Sequence, residues 1–84
     1  MPIKILYFAS LRETLGLGQE SLELNATIDS VATLKNHLAA RGEPWTALAK
    51  MKNLRAAINQ RVVNADNAIA DGDEVAFFPP VTGG

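Results

Sequence analysis

Residues 71–84 read Asp71-Gly72-Asp73-Glu74-Val75-Ala76-Phe77-Phe78-Pro79-Pro80-Val81-Thr82-Gly83-Gly84, and three kinds of local chemistry follow one another along them. Asp-Gly-Asp is turn chemistry, because Asp side chains bond nearby backbone amides and Gly tolerates a positive φ. Its two carboxylates could suggest calcium, but the other oxygen ligands of a loop site are missing. Glu74 to Phe78 then predicts a strand, with Val75 and Phe77 on one face and Ala76 and Phe78 on the other. Pro79 and Pro80 cannot donate to a sheet ladder, so they end that strand and send the following residues out as an extended segment. From Pro79 to Gly84 such a segment spans about 20 Å. Gly83 and Gly84 carry no Cβ, which suits a narrow channel and leaves a terminal carbonyl unshielded. Flexible tails also end in glycine, so the pair alone does not decide a function.

At the other end, Ile3 to Phe8 predicts a second long strand, with Ile3, Ile5 and Tyr7 on one face and Lys4, Leu6 and Phe8 on the other. Ser10-Leu11-Arg12-Glu13 has capping-box spacing, and Gly16 can end a single helical turn. Gly16-Leu17-Gly18 is too sparse for a phosphate-binding loop and reads as a turn. Glu20 to Leu24 alternates as an antiparallel partner of the first strand, with Leu22 and Leu24 pointing inward. From Asp29 as N-cap, Val31, Leu34 and Leu38 recur at helical spacing as far as Arg41, and Gly42 supplies the stop. His37 falls off that stripe and reads as a solvated helix residue. Pro44 opens a further short helix through Leu48, with Trp45 as a lid on the core. Leu54 to Asn59 and Val62-Val63 predict two more strands joined by a polar turn.

The 84 residues, 48% of them hydrophobic, bound a single domain with one core and little room for a catalytic cleft. Eight basic residues against nine acidic ones form no basic stripe, which argues against a nucleic-acid partner. No apolar run reaches membrane-spanning length and the first residues lack signal-peptide character, so a cytoplasmic protein with no membrane partner is expected. The absence of cysteine excludes disulfides, thiolate metal sites and thiol nucleophiles.

Strand, strand, helix, strand, short strand, strand in so short a chain is an α+β arrangement with one main helix packed across one mixed sheet. The ubiquitin-like β-grasp is its natural form, with residues 1–78 as the domain and 79–84 as a flexible tail. First and last strands then lie parallel at the sheet centre. Val75 and Phe77 join Ile3, Ile5 and Tyr7 under the helix, leaving Leu6, Phe8, Ala76 and Phe78 on a face with no element to cover it. Such an apolar patch marks a partner surface, with homodimerisation or ordinary surface apolarity as the alternatives.

Residues 71–84, together with Ile3-Lys4-Ile5-Leu6-Tyr7-Phe8-Ala9, Leu11-Arg12-Glu13 and Ala57-Ile58-Asn59-Gln60, resemble the small subunit of molybdopterin synthase. Residues 17 to 53 match mainly in pattern. The resemblance implies a sulfur carrier. An adenylyltransferase similar to ubiquitin-activating enzyme would use ATP to adenylate the Gly84 carboxylate, and sulfur would displace AMP to leave a thiocarboxylate. The large synthase subunit would receive the tail, and the sulfur would pass to cyclic pyranopterin monophosphate within a heterotetramer, two carriers being needed per product. Gly84 and Gly83 are then the reacting end. Leu6, Phe8, Val62, Ala76 and Phe78, continued by Pro79, Pro80, Val81 and Thr82, form the expected partner surface. The chain would hold no cofactor or metal of its own. A carrier for another pathway of the thiamine type, a ubiquitin-like modifier of protein lysines, and a plain binding domain with an inert tail remain alternatives.

Overall fold

The strands of the computed structural model, which describes residues 1–51 and 53–80, fall where side-chain alternation puts them. Lys52 and the tail residues Val81, Thr82, Gly83 and Gly84 lie outside the described residues, and so do the expectations placed on them. In chain order the elements are β1 (Ile3–Tyr7), α1 (Ala9–Leu15), β2 (Gln19–Leu22), α2 (Val31–Ala39), α3 (Ala47–Lys50), β3 (Arg55–Ile58), β4 (Arg61–Val63) and β5 (Glu74–Phe78). They make one five-stranded sheet in the order β2-β1-β5-β3-β4. β1 and β5 pair in parallel, Ile5 opposite Val75 and Tyr7 opposite Phe77, and every other pairing is antiparallel. This is the mixed β-grasp sheet, with first and last strands adjacent and β5 at the centre.

One face of the sheet carries the core. Ile3, Ile5, Tyr7, Ala56, Ile58, Val75 and Phe77 pack in a single cluster with Leu11 of α1, Val31, Leu34 and Leu38 of α2, and Leu48 of α3. Burying each large apolar side chain there contributes about 1.5 to 3 kcal/mol, which explains why the helices share that face. Trp45 lies half-buried over the core edge, its ring 5.6 Å from that of Tyr7 in an edge-on contact. His37 is exposed, as its position off the apolar stripe predicts.

Several boundaries differ from the sequence reading. The capping box expected at Ser10 does not form: Phe8 is the N-cap of α1 and no side chain caps it. At α2 the N-cap is Ser30, not Asp29. Ser30 Oγ accepts from the Thr33 amide while Thr33 Oγ1 accepts from the Ser30 amide, a reciprocal pair that only the residue three before Thr33 can make. Asp29 instead accepts from the Thr33 hydroxyl. α2 ends at Ala39, two residues before Arg41, and Gly42 follows with φ +92°. The short helix begins at Ala47 instead of Pro44, and the second and third strands are each shorter than the alternation extends. Asn59 and Gln60 form the β3–β4 turn with φ of 51° and 71°, the two positive angles that a tight hairpin demands.

Turn chemistry accounts for the Asp71-Gly72-Asp73 segment. Asp73 accepts from the Ala70 amide and from Asn59 Nδ2, while Asn59 Oδ1 accepts from the Glu74 amide. The start of β5 is thereby fixed to the β3–β4 hairpin.

Candidate functional site

The face of the sheet opposite the helices is built by the alternate residues of the same strands. Across its middle run Gln19, Leu6, Ala76, Ala57 and Val62, each the register partner of the next. Toward the end where β5 gives way to Pro79 stand Phe78 and its partner Arg55, with Phe8 just beyond β1. Phe8 donates its amide to the Phe77 carbonyl at 3.2 Å, which holds the end of β1 beside the end of β5. Toward the other end Lys4 faces Glu74, a neighbouring pair of opposite charge.

Leu6, Ala76, Phe78 and Val62 thus share one surface, with Phe8 at its corner and Pro79 leading out of it. Exposure is uneven. Val62 is 58% exposed and Phe8 46%, whereas Leu6, Ala76, Phe78 and Pro79 are half-buried and Pro80 is exposed. The sequence places Phe78 and Phe8 alike on the open face, but Phe78 belongs to a central strand flanked on both sides, while Phe8 lies just past the end of β1. The sequence reading missed Ala57 and Arg55. Ala57 is buried between Ala76 and Val62, and strict alternation from Ile58 was the signal for both.

A second cluster, also missed, lies at the edge of the core. Glu20 of β2 accepts from Tyr7 Oη at 2.9 Å and from both terminal nitrogens of Arg41 at 2.9 Å each. The Arg41 guanidinium also lies 4.5 Å from the centre of the Trp45 ring. Burial, and then the bond to Glu20, push the Tyr7 phenol well above its usual range. Burial pushes the Glu20 carboxyl up, but the bonds from Arg41 and Tyr7 and the nearby positive charge outweigh it and hold it below its ordinary value. These four side chains fasten β1 and β2 to the segment that follows α2; none belongs to the open face.

Among the described residues no group of three or more His, Cys, Asp or Glu is placed to hold a metal, and no helix is long and apolar enough to cross a membrane. A hollow of about 50 Å³ under α2, lined by residues such as Val31, Leu54 and Phe77, has room for water and not for a substrate. What the geometry offers is an open, largely apolar face whose central strand runs straight into the final segment of the sequence.

Comparison with known proteins agrees with that arrangement. The ThiS family model matches residues 5–84. The molybdopterin synthase sulfur carrier subunit of Escherichia coli is 45% identical over 82 residues, covering 98% of this chain and 99% of that protein. Among solved structures, SAMP1 from Haloferax volcanii superposes with a TM-score of 0.77 at 23% identity over 100% of both chains. A Helicobacter pylori chain, from a protein-protein complex of subunits 1 and 2 of molybdopterin-converting factor, superposes with a TM-score of 0.68 at 21% identity, again over 100% of both chains. At those identities the two structures speak for the fold alone. The family match over nearly every residue and the close bacterial relative speak for more: the chain belongs to the ThiS family, on its branch of molybdopterin synthase sulfur carrier subunits.

Proposed function

We propose that this chain is the sulfur carrier subunit of a molybdopterin synthase, with Gly84 as the site of sulfur loading. The observation that carries the reading is the continuation of the central strand β5, from the middle of an uncovered apolar face, into Pro79-Pro80-Val81-Thr82-Gly83-Gly84. The 45% identity to a carrier of that activity supports it. A carboxylate is a poor electrophile, so loading needs a leaving group. The Gly84 carboxylate would attack the α-phosphorus of ATP on a separate adenylyltransferase, releasing pyrophosphate, and a sulfur nucleophile would then displace AMP. The thiocarboxylate sulfur is ionised and nucleophilic in the manner of a thiolate, which lets a chain without cysteine carry sulfur.

A large synthase subunit is the receiving partner in this scheme. The Helicobacter pylori assembly, in which a chain of this fold is found with a second subunit, supports a partner of that kind. General acids and bases would come from the partners, because the last six residues contain no titratable side chain. The cytoplasm, where ATP is available, is the expected setting.

The test is the intact mass of the protein after incubation with the activating enzyme, ATP and a sulfur donor. The native chain should gain the difference between sulfur and oxygen. A chain lacking Gly84, or extended beyond it, should stay folded and gain nothing. Loading of the truncated chain would overturn the assignment of Gly84, and conjugates to protein lysines in place of a thiocarboxylate would turn the reading toward a modifier.

A further inference from the structure

We propose that Arg55 is a specificity-determining residue of the open face, selecting a large subunit that presents a carboxylate beside the pocket for Phe78. The inference rests on the carrier reading given above and names the partner chemistry it requires. Arg55 is the first residue of β3 and the register partner of Phe78, the last residue of β5. Directly opposed residues of an antiparallel pair share a face, so the Arg55 side chain rises from the sheet beside that phenylalanine, at the point where the chain leaves the sheet. Arg55 is exposed and makes no ion pair among the described residues.

The other strand charges on this face are differently placed. Lys4 and Glu74 are register partners of opposite sign at the far end, so they offset one another. Arg61, on β4, is the partner of the core residue Ile58 and belongs to the other face. The strand residues between, Leu6, Ala57, Val62 and Ala76, are apolar. The strands of the open face therefore carry a largely apolar band with one uncompensated positive charge, Arg55, at its tail end; Arg12 of α1 stands apart from it at the β2 edge, in a hollow it lines with Leu6, Phe8 and Gln19. A partner covering that band takes the guanidinium out of water, which is unfavourable unless an acceptor meets it. The planar fork of an arginine is matched best by a carboxylate accepting two parallel bonds. An approaching acidic rim would also draw the face in along the direction that brings the tail to its channel.

The purified native chain and its Arg55→Lys, Arg55→Ala and Arg55→Glu variants should be titrated into the purified large subunit at low and at moderate salt. Arg55→Glu should bind at least tenfold more weakly than native and Arg55→Lys a few-fold more weakly, because the charge survives without the fork. The native affinity should fall with salt, and that dependence should be shallower in Arg55→Ala. Thermal melts of all four should coincide, since the side chain is exposed. Native-like affinity and salt dependence in Arg55→Glu would overturn the role of Arg55 while leaving the carrier intact. Failure of the native chain to bind any large subunit would instead remove the reading beneath it.

Discussion

Glu20 occupies the sheet's edge strand, yet its carboxylate accepts three hydrogen bonds, one from Tyr7 and two from Arg41. Its partners lie 13 and 21 residues away in sequence. Each charge-assisted bond is stronger than a neutral one, although partial solvent contact reduces its net worth. Replacing Glu20 by Gln should therefore cost about 1 to 2 kcal/mol near neutral pH. The sign of the pH dependence follows from the depressed carboxyl pKa. A group that is more acidic in the folded state contributes its full stability above the ordinary value of 4.5, and that contribution is lost as pH falls through the lower folded value. Urea unfolding of native and Glu20→Gln proteins should show a gap that is widest near neutrality and closes in acid. A gap that stays constant through that range would show the carboxylate to be unlinked to folding.

Strand β1 displays both faces of the sheet within five residues, and its two sides should answer differently to truncation. Ile5 is fully buried in the core, whereas Phe8, just past the strand end, is 46% exposed on the opposite side. Ile5→Ala should cost about 2 to 5 kcal/mol of folding free energy by leaving a cavity. Phe8→Ala should cost less stability but weaken binding to the large subunit by about 2 kcal/mol, the usual loss for an aromatic anchor. Thermal melts beside binding isotherms decide it, and a reversed pattern would invert the faces. This division was legible in the sequence because a period of two leaves no freedom once Ile3, Ile5 and Tyr7 are placed inward. Helix ends were less legible. Asp29 and Ser30 are both good caps, and the choice was made by Thr33, whose hydroxyl closes a reciprocal pair with Ser30. The Glu20–Arg41 pair could not be read at all, because alternation says which face a residue takes and nothing about which distant side chain will meet it. Arg55 lay between: its face follows from Ile58 by counting, but its place beside Phe78 requires the β3–β5 register.

At the scale of the whole molecule the proposed carrier function gives the open face and the glycine pair separable tasks, and one substitution can divide them. The described core ends at Phe77, so a change at Gly83 should not disturb folding. The face formed by Leu6, Ala57, Val62, Ala76 and Phe78 is likewise untouched by it, and most of the interface energy should remain. Valine at position 83, however, places a branched side chain next to the reacting carbonyl, where a channel sized for bare backbone would reject it and any positive φ becomes costly. Reactivity depends on the sulfur reaching near-attack distance, about 3 to 3.5 Å from the acceptor atom, and a misplacement of about 1 Å can cost roughly a hundredfold in rate. The Gly83→Val protein, prepared chemically as the thiocarboxylate so that loading is bypassed, should bind the large subunit only about tenfold more weakly, a loss near 1.4 kcal/mol. It should nevertheless form almost no product in a single turnover with cyclic pyranopterin monophosphate. Loss of binding and product together would place Gly83 within the docking energy itself. Normal single-turnover product would show that the channel tolerates a side chain, leaving the glycine pair to be explained by the activating enzyme alone.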